Sequence, residues 1–127
     1  MKFIIPGRPI SKKNSQRICK RADGRPFIMP SKDYMDWEEK AKWYLRPRPD
    51  KPINTPVTVK CLYFMPTRHQ CDMVNLLEAT LDALVKAEVL EDDNYKIVVS
   101  HDGSRILYDK KNPRTEIEIT EAEGYGM

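Results

Sequence analysis

The sequence has no long hydrophobic run. No window approaches the ~18 apolar residues of a membrane-spanning helix, and the N-terminal apolar run stops at Pro6 and Gly7, too early for a signal peptide. Cysteine is scarce too, because Cys19, Cys61 and Cys71 form an odd set without paired spacing. We therefore expect a soluble, cytoplasmic protein in which these cysteines are small buried hydrophobic residues.

The composition excludes two further classes of protein. The 127 residues are 40% hydrophobic and 9% aromatic, too apolar for a disordered polyelectrolyte. The 22 Lys+Arg and 19 Asp+Glu residues leave a formal net charge of only +3, which excludes a uniformly basic, histone-like protein. A chain of this length can bury about two-thirds of its unfolded surface. We expect a single domain over residues 1–120 and a flexible tail at 121–127.

The two signs of charge are separated along the chain. Residues 1–60 hold 15 Lys+Arg and 6 Asp+Glu, a net charge of +9, whereas residues 61–127 hold 7 and 13, a net charge of −6. The basic excess is greatest in the first 25 residues. Such a run is most often solvated surface, but it is also the composition that contacts phosphates, and the pattern alone leaves both interpretations open.

Periodicity and breaker residues predict alternating strands and helices. Strands are expected at 2–5, 16–20, 26–29, 57–64, 95–100, 105–108 and 115–120, with 16–20 and 26–29 forming a hairpin around Asp23-Gly24. One helix should follow Ser31 and run to residue 44, and a second should follow Asp72 and run from 73 to about 88. The expected fold class is α+β, with a small mixed β-sheet packed against two main helices.

The spacing of apolar residues predicts the buried face of each helix. In the first helix this face holds Tyr34, Trp37, Ala41 and Tyr44. In the second helix it holds Met73, Leu77, Leu81 and Leu84, widened by Leu76 and Val85.

Acidic residues gather on and after the second helix. Asp72 stands at its start, one polar stripe holds Asn75, Glu78, Asp82 and Lys86, and the loop that follows contains Glu91-Asp92-Asp93. Carboxylates this close raise one another's pKa unless a cation holds them. They could form a Mg²⁺ site, since Mg²⁺ prefers oxygen ligands. Spacing alone favours the commoner outcome, an acidic solvated surface.

The same helix resembles a known family. The run D-M-V-N-L-L-E-A-T-L-D-A-L at 72–84, followed by Asp92-Asp93, resembles the D-x-D-N-L-x-K-x-x-x-D-A-L signature of the RusA-like Holliday junction resolvases, which are crossover junction endodeoxyribonucleases. Weaker matches are P-G-R-P at 6–9, P-S-K-D-Y at 30–34 and T-E-I-E-I at 115–119. The resemblance covers about residues 2–120. It implies a homodimer that binds four-way DNA junctions and cleaves them symmetrically in recombination and repair, using Mg²⁺ with Mn²⁺ as a substitute.

Two positions depart from the family signature. Val74 stands where the family has its second aspartate, and Glu78 stands where it has a lysine. These residues share a helix face, and the longer Glu78 side chain leans towards the vacant position. We therefore hypothesise a catalytic, metal-holding triad of Asp72, Glu78 and Asp93, with Asp92 as a further ligand.

Two alternatives remain open at this stage. One is a catalytically degenerate protein that binds junctions or other branched DNA without cutting them. The other is an unrelated small interaction domain whose resemblance to the family is accidental. We interpret Asp82 as structural, and Asn75 either as a brace for Asp72 or as a simple first-turn polar residue.

Basic residues are expected to hold the DNA by neutralising its phosphates, which gives salt-sensitive binding with little base readout. The predicted contacts are Lys12, Lys13, Arg17, Lys20, Arg21, Arg25 and Arg68.

Overall fold

The computed structural model describes residues 1–11 and 16–122. The strands in this part of the chain are β1 (Lys2–Pro6), β2 (Gln16–Lys20), β3 (Pro26–Pro30), β4 (Val57–Met65), β5 (Val98–Ser100), β6 (Arg105–Tyr108) and β7 (Arg114–Glu121). The helices are α1 (Lys32–Tyr44) and α2 (Met73–Lys86). The α+β class predicted from the sequence, a mixed sheet with two helices, is confirmed.

The central strand of the main sheet is β4. It pairs antiparallel with β7, which in turn pairs antiparallel with β1. On its other side β4 pairs in parallel with β5 near Val57 and with β6 from Leu62 to Met65. Every second side chain of β4 is buried, as its alternating sequence predicts. The sheet therefore positions the carboxyl end of β4 beside the end of β6.

The basic N-terminal part of the chain forms a separate two-stranded hairpin. β2 pairs antiparallel with β3, and the turn between them places Gly24 at a φ of 86°, a conformation that favours glycine. The predicted hairpin is thus confirmed. Ile18 and Ile28 face each other across it and are both exposed, because nothing in the described residues covers that face.

Helix α1 begins as predicted. The hydroxyl of Ser31 accepts a hydrogen bond from the amide of Tyr34 at 3.2 Å, which caps the helix. Tyr34, Trp37 and Ala41 are buried, but the prediction that Tyr44 is part of the core is wrong, since its side chain is 45% exposed. Leu45, four residues after Ala41, fills that place in the core and leaves Tyr44 at the solvent edge.

The buried face of α2 differs from the prediction. The fully buried residues are Leu76, Ala79, Thr80, Ala83 and Leu84, whereas Met73, Leu77, Leu81 and Val85 are only half-buried. Small alanines allow the helix to approach the sheet closely.

Thr80 is tolerated in this core because its hydroxyl has two partners. It lies 2.7 Å from the hydroxyl of Tyr63 and donates to the carbonyl of Leu76 at 2.9 Å. A ranking by hydropathy alone would place none of these small or polar residues at the centre of the face. The helix also ends at Lys86, two residues earlier than expected.

Three smaller predictions are corrected. The strand expected at 95–100 is limited to β5, because the amides of Ile97 and Val98 turn back to the carbonyl of Asn94 at 3.1 and 2.9 Å. Cys61 is buried as expected, but Cys19 and Cys71 are only half-buried, since they lie in the hairpin and in the loop before α2.

Of the expected tail, Glu121 still belongs to β7, and residues 123–127 lie outside the described part of the chain. Across the described residues, no helix is both long enough and apolar enough to cross a membrane.

Candidate active site

The first acidic residue lies where the central strand leads into α2. Residues 66–71 connect β4 to α2, and Asp72 occupies the N-cap position of the helix. Its side chain makes no capping hydrogen bond to the backbone; instead its Oδ2 accepts from Nδ2 of Asn75 at 3.4 Å. Asn75 therefore braces Asp72, one of the two roles expected for it. The Asp72 carboxylate is exposed and open to a ligand.

The polar stripe of α2 faces the edge of α1. Nζ of Lys86 donates to both carboxylate oxygens of Glu38, at 3.0 and 2.9 Å, and the hydroxyl of Tyr34 donates to Oε2 of Glu38 at 2.9 Å. The pKa of Tyr34 is raised, chiefly by burial of its hydroxyl. Its hydrogen bond to Glu38 and the negative charges of Glu38, Asp82 and Glu78 raise this pKa further. Glu38, Glu78 and Asp82 therefore lie near the edge between α1 and α2. Lys86 neutralises the charge of Glu38.

The acidic loop after α2 contains two aspartates in different environments. Asp92 accepts hydrogen bonds from the amide of Asp93 at 2.8 Å and from Nδ2 of Asn94 at 3.0 Å, and these bonds lower its pKa. The pKa of Asp93 is raised, and partial burial is the largest cause. A hydrogen bond to Asp92 and the negative charges of Asp92 and Asp82 also raise this pKa. The charge of Asp82 is thus one of the causes that raise the pKa of Asp93, although we interpreted Asp82 as structural from the sequence.

The positions of these acidic residues bear on the predicted metal site. Within residues 1–11 and 16–122, no group of three His, Cys, Asp or Glu side chains is arranged to hold a metal ion. The residues do supply carboxylate oxygens, which Mg²⁺ prefers, and Mg²⁺ is commonly held by one or two carboxylates while it keeps several waters. Asp72, Glu78, Asp92 and Asp93 therefore supply ligand atoms of the right chemical type. The assignment of Asp72, Glu78, Asp92 and Asp93 as ligands stays a prediction.

The predicted DNA-binding residues of the hairpin are only partly described. Lys12 and Lys13 lie outside the described residues, as does the side chain of Arg17. Lys20 is exposed, which suits a phosphate contact.

Two further hairpin arginines already have local partners. The guanidinium of Arg21 lies over the ring of Phe27, 5.5 Å from its centroid, and Nε of Arg25 is 3.6 Å from Oδ2 of Asp23. The charge of Arg25 is therefore partly compensated, whereas Arg21 keeps an exposed cation on an aromatic support.

A shallow basic groove lies between the loop 66–71 and the end of β6. It has a volume of about 540 Å³ and is lined by Pro66, Thr67, Arg68, His69, Tyr108 and Lys110. The guanidinium of Arg68 stacks over the ring of Tyr108, with Cζ 4.3 Å from its centroid. Sequence reasoning selected Arg68 but missed Tyr108 and Lys110. The one available signal was an aromatic residue ending a strand just before Lys110-Lys111.

A second groove, of about 290 Å³, lies at the end of the same loop that precedes α2. It is lined by residues of the N-terminal segment and of both helix starts, among them Arg8, Ser11, Asp33, Gln70 and Cys71. Both grooves include residues of the loop that leads to Asp72, but only the first is lined by basic residues without an acidic one.

One comparison with known proteins identifies a family. A family model described as endodeoxyribonuclease RusA matches residues 6–120. The matched region includes the basic hairpin, α2 and the acidic loop. A search of curated proteins found no match to this sequence.

Proposed function

The chain belongs to the RusA family of endodeoxyribonucleases, and from that membership we propose that it binds four-way Holliday junctions and cleaves them symmetrically in DNA recombination and repair. The observation that carries the proposal is the family match over residues 6–120. The electrostatics supports it, because α2 and the loop after it carry several carboxylates, whereas the N-terminal half of the chain is strongly basic. A nuclease needs both, cations to hold phosphates and carboxylates to hold a metal ion.

The family is in general dependent on divalent metal ions. In this chain the proposed ligands are Asp72, Glu78 and Asp93, with Asp92 as a further ligand, for Mg²⁺ with Mn²⁺ as a substitute. When bound, the ion supplies a water of lowered pKa and neutralises charge on the leaving oxygen of the phosphodiester. Asn75 holds the Asp72 carboxylate in place, and the amides around Asp92 keep that residue ionised.

Cations of the hairpin and of the loop before α2 hold the DNA backbone in this proposal. Lys20, Arg21 and Arg68 are exposed. Lys20 and Arg21 are neighbours in the hairpin, whereas Arg68 lies in the loop before α2, so the hairpin and the loop can contact separate phosphates. Such contacts neutralise charge without reading sequence, which suits a substrate recognised by its branched shape.

Symmetric cleavage requires two active sites that are related by the same two-fold symmetry as the arms of the junction. A homodimer supplies them, because its two-fold axis matches the two-fold symmetry of a junction. We therefore propose a homodimer. Light scattering coupled to gel filtration of the protein on a junction should give two protomers per DNA, and one protomer would contradict the proposal.

A second candidate function is junction or branched-DNA binding without cleavage. It is favoured by Val74, whose apolar side chain is 72% exposed at a position where the family has an aspartate. The lack of a three-ligand group among the described side chains points the same way.

A gel assay on a synthetic four-way junction separates the candidates. Under the first proposal, the protein shifts the junction in EDTA and nicks two opposing strands when Mg²⁺ is added. Binding without nicking favours the second candidate, and no binding removes both. The double variant Val74→Asp, Glu78→Lys restores the family signature; if it cuts and the parent chain does not, the natural site is degenerate.

A further inference from the structure

We propose that the groove between the loop 66–71 and the end of β6 binds one unpaired nucleotide. Its base would stack on the Arg68–Tyr108 pair and its phosphate would contact Lys110. The inference rests on the proposed function for its substrate, since a branch point is where unpaired bases arise. It adds a binding site for a single nucleotide to a surface otherwise expected to read only phosphates and shape.

The geometry of the pair suits a nucleobase. The Arg68 guanidinium lies 4.3 Å from the centroid of the Tyr108 ring, and both side chains are exposed, Tyr108 by 42%. A guanidinium on an aromatic ring presents a flat, cationic surface, and unstacked bases bind to both aromatic rings and arginine planes. The volume of about 540 Å³ lies within the ~300–1,000 Å³ of small-molecule sites.

The groove keeps its positive charge because the carboxylate that neighbours it along the chain, that of Asp109, is hydrogen-bonded to other residues. None of the six lining residues is acidic. Asp109, between Tyr108 and Lys110, accepts from Nη1 of Arg114 at 2.9 Å and from the amides of Lys111 and Asn112 at 3.2 and 3.1 Å. The hydrogen bond from Arg114, followed by that of the Asn112 amide, lowers the pKa of Asp109. Asp109 is thus ionised and paired within its own turn, which leaves the charge of Lys110 available to a phosphate.

The stacking surface is held by the central sheet. Tyr108 is the last residue of β6 and pairs with Met65, the last residue of β4, and the amide of Asp109 donates to the carbonyl of Met65 at 2.9 Å. The ring therefore stands on a strand rather than on a free loop. Arg68 lies in the connection that leads to Asp72, so the nucleotide would bind next to the start of α2 along the chain.

An unpaired nucleotide fits these residues better than a duplex does. Inside a duplex both faces of each base are covered by neighbouring bases, so an aromatic side chain gains contact area only from a base that has left the stack. Duplex phosphates could be neutralised by Arg68 and Lys110 alone, and they give no role to the exposed ring of Tyr108.

The test uses 2-aminopurine, a base whose fluorescence falls when it stacks. Full-length protein is titrated, in EDTA, into a single-stranded oligonucleotide with a central 2-aminopurine and into a junction with 2-aminopurine at the branch point. We expect the wild type to quench both probes. Tyr108→Leu should abolish the quenching and weaken single-strand binding by about 5- to 150-fold, the range for loss of one base–aromatic stack. Tyr108→Phe should keep both properties.

Tyr44→Leu is the matched control, because Tyr44 is 45% exposed at the end of α1 and lines neither groove. It should bind and quench as the wild type does. Lys110→Ala should weaken binding and reduce the salt slope by about one, while the quenching at saturation remains. Lys51→Ala, in an exposed loop, should change neither.

The outcomes separate this inference from the proposed function. If the junction is bound and cut but Tyr108→Leu quenches like the wild type, the stacking site is wrong and the nuclease assignment stands. If the single strand is quenched in a Tyr108-dependent way but junctions are neither bound nor cut, the site stands and the proposed function fails. Equal weakening of duplex and single-strand binding by Tyr108→Leu would also overturn the inference.

Discussion

The carboxylate of Asp82, on α2, lies close enough to Asp93, in the loop after the helix, for its charge to raise the pKa of Asp93. The relationship joins two acidic segments that the sequence presents separately. It also changes the role of Asp82, which contributes to the electrostatics of the acidic loop in addition to its place on the helix.

Removal of the Asp82 charge should lower the pKa of Asp93. In the variant Asp82→Asn the repulsion between the two carboxylates is lost, so Asp93 should ionise at lower pH than in the wild type. Carbon-detected NMR titration of the aspartate carboxyl groups measures this directly. The variant Asp102→Asn, in the exposed turn before β6, serves as a control and should leave the pKa of Asp93 unchanged. An unchanged pKa in Asp82→Asn would show that the two residues do not interact.

Neutralising Asp93 and neutralising Asp92 should have opposite effects on stability. The raised pKa of Asp93 means that the folded state binds its proton more tightly than the unfolded chain does; ionisation thus costs stability as pH rises through that pKa. The lowered pKa of Asp92 means that its ionised form stabilises the fold at neutral pH, and that this contribution is lost as pH falls through the folded-state pKa.

At pH 7, Asp93→Asn should therefore leave Tm equal or raise it by about 1–2 °C, whereas Asp92→Asn should lower it. At pH 3 both differences from the wild type should shrink. Thermal unfolding followed by circular dichroism at the two pH values checks the signs. A fall in Tm for Asp93→Asn at pH 7 would contradict the assigned electrostatics.

The hydroxyl pair between Tyr63 and Thr80 should stabilise the packing of α2 on β4. Thr80→Val preserves shape but leaves the buried Tyr63 hydroxyl without its partner, so the free energy of unfolding should fall by about 1–2 kcal/mol. Urea unfolding of Thr80→Val, Tyr63→Phe and the double variant measures the coupling. The double variant should lose less than the two single losses added together, and simple additivity would show that the pair contributes nothing.

Two of the exposed cations of the hairpin, Lys20 and Arg25, should differ in their effect on DNA binding. Lys20 is exposed, whereas Arg25 is already 3.6 Å from a carboxylate oxygen of Asp23. Lys20→Ala should therefore weaken junction binding several-fold and reduce the slope of log K against log salt by about one, and Arg25→Ala should have a smaller effect. Gel shifts over a series of salt concentrations test the difference. A larger effect of Arg25→Ala would reverse the assignment.

Local patterns were sufficient to predict most of the fold. The strict alternation from Val57 to Phe64 predicted the central strand, Ser31 predicted the start of α1, and Asp23-Gly24 predicted the hairpin turn. Each of these depends on neighbouring residues alone. The buried face of α2 could not be predicted in this way, because Ala79 and Thr80 are central only where the helix meets Tyr63 of the sheet.

The candidate site was predictable in composition but not in arrangement. The sequence identified Asp72, Glu78 and the Asp92-Asp93 pair as acidic candidates. It gave no reason to link the charge of Asp82 with Asp93, or Arg68 with Tyr108, because those relationships depend on how α2 and β6 lie against β4. Tyr108 ends a short strand, and nothing in the local sequence marks it as a site residue. Its role depends on the loop 66–71, which places Arg68 over its ring.

The most direct test of the central claim is cleavage of a synthetic four-way junction with Mg²⁺ by the wild type and by Glu78→Gln. Glu39→Gln is the matched control, since Glu39 is an exposed carboxylate on α1 that pairs with Lys42. The account predicts that the wild type and Glu39→Gln cut two opposing strands, and that Glu78→Gln binds the junction but leaves it intact. Undiminished cutting by Glu78→Gln, or no cutting by the wild type, would contradict it.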